Sequence, residues 1–167
     1  IIAANIAKKM KLSRRDVNNV RIAALLHDVG KVGLPAGTER AEGYDEKSMR
    51  MKFIQNAEKI LENVSQLEYL IPAIKHQYER YDGNGIPEGL KHKEIPRFAL
   101  IISVADAFDC LTTTGGLRGD GLSTKEAIQE LKKDAGSVYD PEVVAALEFA
   151  SNDGTLFGDD LFLSISS

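Results

Sequence analysis

Along most of the chain apolar residues return every three or four positions with polar residues between them, which is the period of helices packed on one face. The first such stretch covers 1–11 and begins abruptly in Ile1-Ile2-Ala3-Ala4, so a helix cut at or near its start is expected there. Ser13 with Asp16 three residues on makes a capping box for a second helix. Its apolar run Val20, Ile22, Ala23, Ala24, Leu25 and Leu26 reads as mostly buried and ends at His27-Asp28. Gly30, just past the last turn, is expected to stop the helix by taking positive φ. Asp45 caps a helix to about residue 64, with Met49, Phe53, Ala57, Ile60, Leu61 and Val64 on its core face. A further helix is expected over 67–79, with Leu70, Ile71, Ile74 and Tyr78 on its apolar side, Pro72 tolerated in the first turn and His76 near the end.

Pro96 then opens a long apolar helix over 98–112, in which Asp106 and Asp109, three apart, share a face. Ser123 with Glu126, and Asp140 before Pro141, begin two more helices. Between the helices, 34–44, 79–90 and 113–121 carry the glycines and prolines of loops. After Ala150 the pattern changes, and Leu161-Phe162-Leu163-Ser164-Ile165 reads as a short strand or ordered tail. The expected organisation is an all-α bundle over 1–150, its first helix truncated, followed by a tail over 151–167.

Composition narrows the function classes. The 167 residues suffice for one domain with a proper core, and 43% hydrophobic with 28% charged residues is ordinary for a globular chain. No segment is long and apolar enough for a membrane span, and no signal peptide is visible. With 21 basic against 25 acidic residues the net charge is −4, which argues against a DNA or RNA polymer as partner and leaves room for a local phosphate pocket. Cys110 is the sole cysteine, so a disulfide framework and a cysteine metal cluster are both excluded, and a cytoplasmic location is expected.

The chemistry concentrates in His27-Asp28-Val29-Gly30-Lys31. An imidazole beside a carboxylate at the end of a buried helix suits a hard or borderline cation, and Lys31 places a positive charge where a phosphate could sit. A capped helix end with a hydrogen-bonded His and Asp is the plainer reading of that pair alone. Asp106 on another helix adds a third donor of the kind that bundles bring to a common centre, where an ion could activate water for attack on phosphorus.

His27-Asp28-Val29-Gly30-Lys31, the stretch from Glu79-Arg80-Tyr81-Asp82-Gly83-Asn84-Gly85-Ile86-Pro87 to Leu90, Val104-Ala105-Asp106-Ala107-Phe108-Asp109, and Tyr139-Asp140-Pro141 together resemble the HD-GYP subfamily of the HD superfamily, in order and in spacing. The resemblance implies a metal-dependent phosphodiesterase domain of bacterial signalling that acts on cyclic di-GMP or a related small nucleotide. Such a domain is usually attached to a receiver or sensor domain or works with a signalling protein. It further implies His27, Asp28 and Asp106 as metal ligands, Asp28 and Lys31 as catalytic residues, and Lys31, Arg80 and Asp82 as substrate-binding residues. The ion would be a divalent transition metal, iron or manganese. Asp109 would orient a neighbour of the ligands.

Several positions depart from the family pattern. No histidine occurs between Val32 and Lys75, although the family places one on the helix that starts at Asp45. Gln77-Tyr78 stands where the family has two histidines, and the nearby His76 joins the ligands only if the backbone bulges, because one residue turns a side chain about 100° around a helix. Ile86 replaces the signature tyrosine, Gly115, Gly116 and Leu117 stand where an arginine and a tyrosine are expected, and a further histidine would precede Ile1. A two- or three-metal centre is not completed by what remains, whereas His27, Asp28 and Asp106 suffice for one weakly held ion. Three readings follow. The first is a degenerate domain that keeps the fold and a regulatory role in ligand or protein binding. The second is an active phosphodiesterase with an unconventional metal site. The third has Asp28 and Asp106 as structural carboxylates paired with His27 and Lys31, with no metal at all. The apolar start of the chain suggests a face covered by preceding chain or by a second copy in a homodimer.

Overall fold

Arg97–Thr114, helix α5, has apolar residues on nearly all sides, the composition of a helix enclosed by others. Ile101, Ile102, Val104 and Phe108 on it are at most 1% exposed. Around it lie α1 (Ile2–Lys9), α2 (Arg14–Leu26), α4 (Ile71–Lys75), α6 (Thr124–Lys133) and α7 (Pro141–Asn152), each in contact with α5, while α3 (Glu46–Leu61) packs on α4. The computed structural model describes residues 1–32, 45–114 and 121–158. Among them there are seven α-helices and no strand beyond one isolated bridge between Ala135 and Tyr139, so the expected all-α bundle is what the chain forms. The predicted loop at 34–44, most of the one at 113–121 and the predicted strand at 161–165 lie outside the described residues.

The bundle has two apolar clusters. The larger joins α1, α2, α5, α6 and α7 around Ile6, Phe108, Leu131 and Leu147, and the smaller joins α2, α3, α4 and α5 around Ala23, Leu61, Leu70 and Ile102. Each large side chain so enclosed contributes roughly 1.5–3 kcal/mol, which is what holds the site-bearing ends of α2 and α5 together.

The cap signals act as expected. The Ser13 hydroxyl accepts from the Asp16 amide, Asp45 from Ser48, Ser123 from Glu126 in a full capping box, and Asp140 from Glu142 and Val143. Four expectations need correction. The end of α2 is not mostly buried: only Val20 and Ala23 are enclosed and Leu25 is 76% exposed, because α2 lies at the bundle surface. Ile60 and Val64 are 38% exposed, Val64 because α3 ends at Leu61 and Ile60 because it lies on the outer side of α3, whose buried side includes Ile54. The 67–79 helix is shorter. Ser65–Leu70 is a 3-10 helix, α4 is confined to Ile71–Lys75, and His76 stands at its end with φ −98°. Gly30 does not take positive φ. It lies inside a 3-10 turn, Val29–Lys31, pressed against α3, where a Cβ would come within 1.9 Å of the Phe53 carbonyl oxygen. Its lack of a side chain, rather than its conformational freedom, is what the fold uses.

Candidate functional site

Three elements meet at one corner: the end of α2, the 3-10 turn after it and the middle of α5. His27 is the last residue of the α2 path, still with helical backbone angles. Its Nδ1 lies 2.7 Å from the Ala24 carbonyl oxygen, one turn back. A carbonyl can only accept, so Nδ1 carries the hydrogen and the neutral ring keeps its lone pair on Nε2. That atom is buried, 3.3 Å from Asp106 Oδ1 and 3.5 Å from Asp28 Oδ1, with neither contact aligned as a hydrogen bond. The Asp106 carboxylate raises the His27 pKa, burial opposes the rise and the Asp28 charge adds to it. In return His27 lowers the pKa of Asp106 against the effect of burial. So α2 and α5 bring together the three residues that sequence spacing singled out.

Lys31, one 3-10 turn further, reaches back to place Nζ 2.8 Å from Asp28 Oδ1. It also stands 5.8 Å from the centre of the Phe53 ring. This is the ion pair that the structural-carboxylate reading specifies. The side chains of Asp28, Lys31 and Asp106 are 45%, 40% and 54% exposed. At such exposure each pair is worth about 1 kcal/mol or less, so stability alone does not explain the grouping. The carboxylate beside the imidazole at the end of α2 is thus open to solvent.

Around the corner stand one residue that sequence reasoning did not assign to it, Phe53, and two that it placed where the family has histidines, Gln77 and Tyr78. Phe53 of α3, read there as core alone, lies under Gly30 and beside Lys31. Gln77 is 7% exposed and its Nε2 donates to the His27 carbonyl oxygen at 2.8 Å. Burial pushes the Tyr78 phenol up to about 12; Lys31 and Arg50 oppose the rise, and Asp28 and Asp106 add to it. The Arg50 guanidinium covers the Tyr78 ring at 4.8 Å from its centre. The signal that could have placed Phe53 was Gly30, since a glycine inside a turn implies a close neighbour.

His76 is not part of this group. Its Nδ1 stands 3.5 Å from Glu79 Oε1, and both side chains are buried. Glu79, which sequence reasoning quoted and gave no role, organises the 79–90 loop: its Oε1 accepts from the amides of Glu88 (2.8 Å) and Gly89 (3.1 Å). A glycine-rich loop has many amides in need of acceptors, and an acid at its start was the available clue. Arg80 donates through two nitrogens to Asp82, at 3.2 and 2.7 Å, and Asp82 Oδ1 also accepts from the Asn84 amide. Arg80, with help from Asn84, holds the Asp82 carboxyl well below the usual range. Gly85 passes so close that a Cβ would lie 2.2 Å from the Arg80 amide nitrogen. Arg80 and Asp82 thus form a fixed fork on the loop.

Two clefts adjoin the corner. One of about 400 Å³ is lined by His27, Asp106 and Asp109 together with apolar Ile1, Ile2 and Phe157, so Asp106 and Asp109 do share a face. The other, about 190 Å³, lies between the start of α3 and the 79–90 loop and is lined by Arg50, Tyr78 and Arg80 among others.

One imidazole nitrogen and two carboxylates are the right donors for a single divalent cation, and the orphaned lone pair of His27 Nε2 faces both carboxylates. They do not fit a centre of several ions. Among the described residues no set of three or more His, Cys, Asp or Glu side chains is arranged to hold a metal as it stands. The adjoining walls, moreover, offer a phenyl ring, an amide bound to backbone and a phenol.

Comparison with known proteins places these features. The HD domain family model matches residues 1–143. A cyclic di-GMP phosphodiesterase of Thermotoga maritima is 34% identical over 152 residues, covering 87% of this chain and 40% of that protein. The cyclic di-GMP phosphodiesterase response regulator RpfG of Xanthomonas campestris pv. campestris is 31% identical over 153 residues, with the same two coverages of 87% and 40%. The crystal structure of a cyclic GMP-AMP specific phosphodiesterase of Vibrio cholerae superposes with a TM-score of 0.75 at 19% identity, covering 93% of this chain and 43% of that one. The chain therefore spans about two fifths of the length of these relatives. Among the described residues no helix is long and apolar enough to cross a membrane.

Proposed function

From a chain that belongs to the HD domain family, with HD-GYP-type relatives, we propose a signalling domain that binds a cyclic dinucleotide and has lost all or nearly all of its hydrolysis. The observation that carries this reading is the composition of the corner's walls. Phe53 stands beside Lys31, Gln77 is bonded to the His27 carbonyl and Tyr78 lies within electrostatic reach of Asp28 and Asp106, whereas a hydrolytic centre of several ions needs further nitrogen and oxygen donors there. The parts that shape a pocket are in place: the 79–90 loop is closed on Glu79, and Arg80 is fixed by Asp82. In this reading the domain reports its ligand to an attached sensor or receiver domain, to a signalling protein or to a second copy of itself.

A second reading, an active metal-dependent phosphodiesterase, draws support from His27 Nε2, which is buried without a hydrogen-bond partner and faces two carboxylates. There His27, Asp28 and Asp106 would hold an ion of iron or manganese, which when bound would supply charge neutralisation and an acidified water. Within such a site Ala24 fixes the His27 tautomer, Asp28 holds Lys31 in position, and the Lys31 ammonium is the group available to a phosphate oxygen. Incubation with cyclic di-GMP and either Mn²⁺ or anaerobic Fe²⁺ separates the two readings. Binding without linear product above an Asp28→Ala control is expected, and turnover that disappears in that control overturns the proposal.

A further inference from the structure

The replacement of ligands at the corner leaves a problem for a phosphate, because Asp28 and Asp106 repel an anion when no ion lies between. Cations of the protein's own stand on the other side of Tyr78. The cleft of about 190 Å³ between the start of α3 and the 79–90 loop is lined by Lys47, Arg50, Tyr78, Arg80 and Asn84, with Glu46 as its one acidic lining residue. Two of its guanidinium groups are held before any ligand arrives. Arg50 keeps its charge over the Tyr78 ring, 4.8 Å from the ring centre, and Arg80 is fixed by two bonds to Asp82. Planar, preoriented guanidinium groups are suited to phosphate oxygens, and little side-chain freedom remains to be lost on binding. Arg50 also pairs with Glu46, one turn back on α3. Glu46 is 61% exposed, so that pair is weak and an anion can displace it.

We propose that this cleft, with Arg50 as its anchoring cation, holds a phosphodiester group of a nucleotide without the help of a metal ion. Its volume suits one phosphate with part of the attached nucleoside, which places the rest of a cyclic dinucleotide along the loop. The proposal rests on the cyclic-dinucleotide reading above and deepens it by naming the group that is gripped. Arg50 belongs to none of the motifs that carry the family resemblance, and its partner Tyr78 is itself a departure from them. The two together convert a ligand-bearing wall into the back of an anion site.

The test is calorimetric titration of cyclic di-GMP into the whole chain, in EDTA and again in Mn²⁺, for the parent, Arg50→Ala and Arg50→Lys. Arg50 is 41% exposed on its side chain, and thermal melts check that both variants fold. Binding that survives EDTA is expected, with at least a tenfold loss in Arg50→Ala, about the value of a charge-assisted hydrogen bond, and an intermediate loss in Arg50→Lys. Affinity should also fall as salt rises. Equal affinity of parent and Arg50→Ala overturns the proposal. Binding that requires Mn²⁺ overturns it too while leaving the cyclic-dinucleotide reading intact, and no binding in either medium overturns both.

Discussion

The 79–90 loop and the His27–Asp28–Asp106 corner are neighbours built in opposite ways. On the loop, most charged side chains are bonded: Glu79 Oε1 takes two loop amides, Asp82 takes Arg80 and Asn84, and Glu88 pairs with Lys75 of α4, while Glu79 Oε2 stays buried without a hydrogen bond. At the corner the same kinds of groups gather at 3.3–3.5 Å with a buried imidazole nitrogen left without a hydrogen bond, and the acids are about half exposed. A polar group kept buried and unsatisfied costs about 1–3 kcal/mol. Scaffold and chemistry are thus separable here. The loop is held by its own bonds, by the Ser137 and Val138 carbonyls and by Lys75, none of which belongs to the corner.

That contrast breaks first if the loop's acid proves dispensable. Glu79→Ala removes an enclosed side chain and leaves the part-buried amides of Glu88 and Gly89 without their acceptor, and should lower the free energy of unfolding by about 2 kcal/mol in urea titration. Asp106→Ala, at a half-exposed carboxylate, should change it by about 1 kcal/mol or less. Equal effects would mean that the corner, too, is structural. Gly30→Ala sharpens the comparison by testing backbone instead of side chains. Its Cβ would meet the Phe53 carbonyl at 1.9 Å, so α3 has to shift, and a loss of about 2 kcal/mol is expected from the same titration. The corner is therefore tight in its main chain and loose only in its polar side chains.

A smaller effect reads the corner's charge. Asp106 raises the His27 pKa, so the native state binds the imidazole proton more tightly than the unfolded state does. The stabilisation is complete below the unfolded histidine value of about 6.5 and is lost as pH rises through the folded value. Asp106→Asn should bring the His27 titration down, followed by proton NMR in a chelator, and should flatten that part of the stability profile. An unchanged titration would show that Asp106 does not face His27 in solution.

What the sequence made legible follows from how local each signal is. Ser13, Asp45, Ser123 and Asp140 act on amides two or three residues away, and all four caps are where the pattern puts them. That His27, Asp28 and Asp106 meet was legible from the order and spacing of the motifs that carry them, since the His27-Asp28 pair alone reads as well as a capped helix end. Leu25, Ile60 and Val64 were misread as core because exposure depends on which neighbouring helix is present, and an apolar residue carries no record of that. Gly30 was read for its φ when the fold uses its missing Cβ against Phe53. His76 was expected to lie on helix, yet α4 ends at Lys75 and the residue turns to Glu79. Phe53 and Arg50 came to the site from α3, through contacts with Lys31 and Tyr78 that no spacing within one element encodes.

The central claim, that the corner no longer supports a hydrolytic centre of several ions, is tested most directly by the metal content of the purified protein beside an Asp28→Ala control, measured by elemental analysis after loading with iron or manganese. The account predicts at most one weakly held equivalent that dialysis against a chelator removes. Two or more tightly held equivalents that vanish in the control would contradict it, and would return the domain to the hydrolytic members of its family.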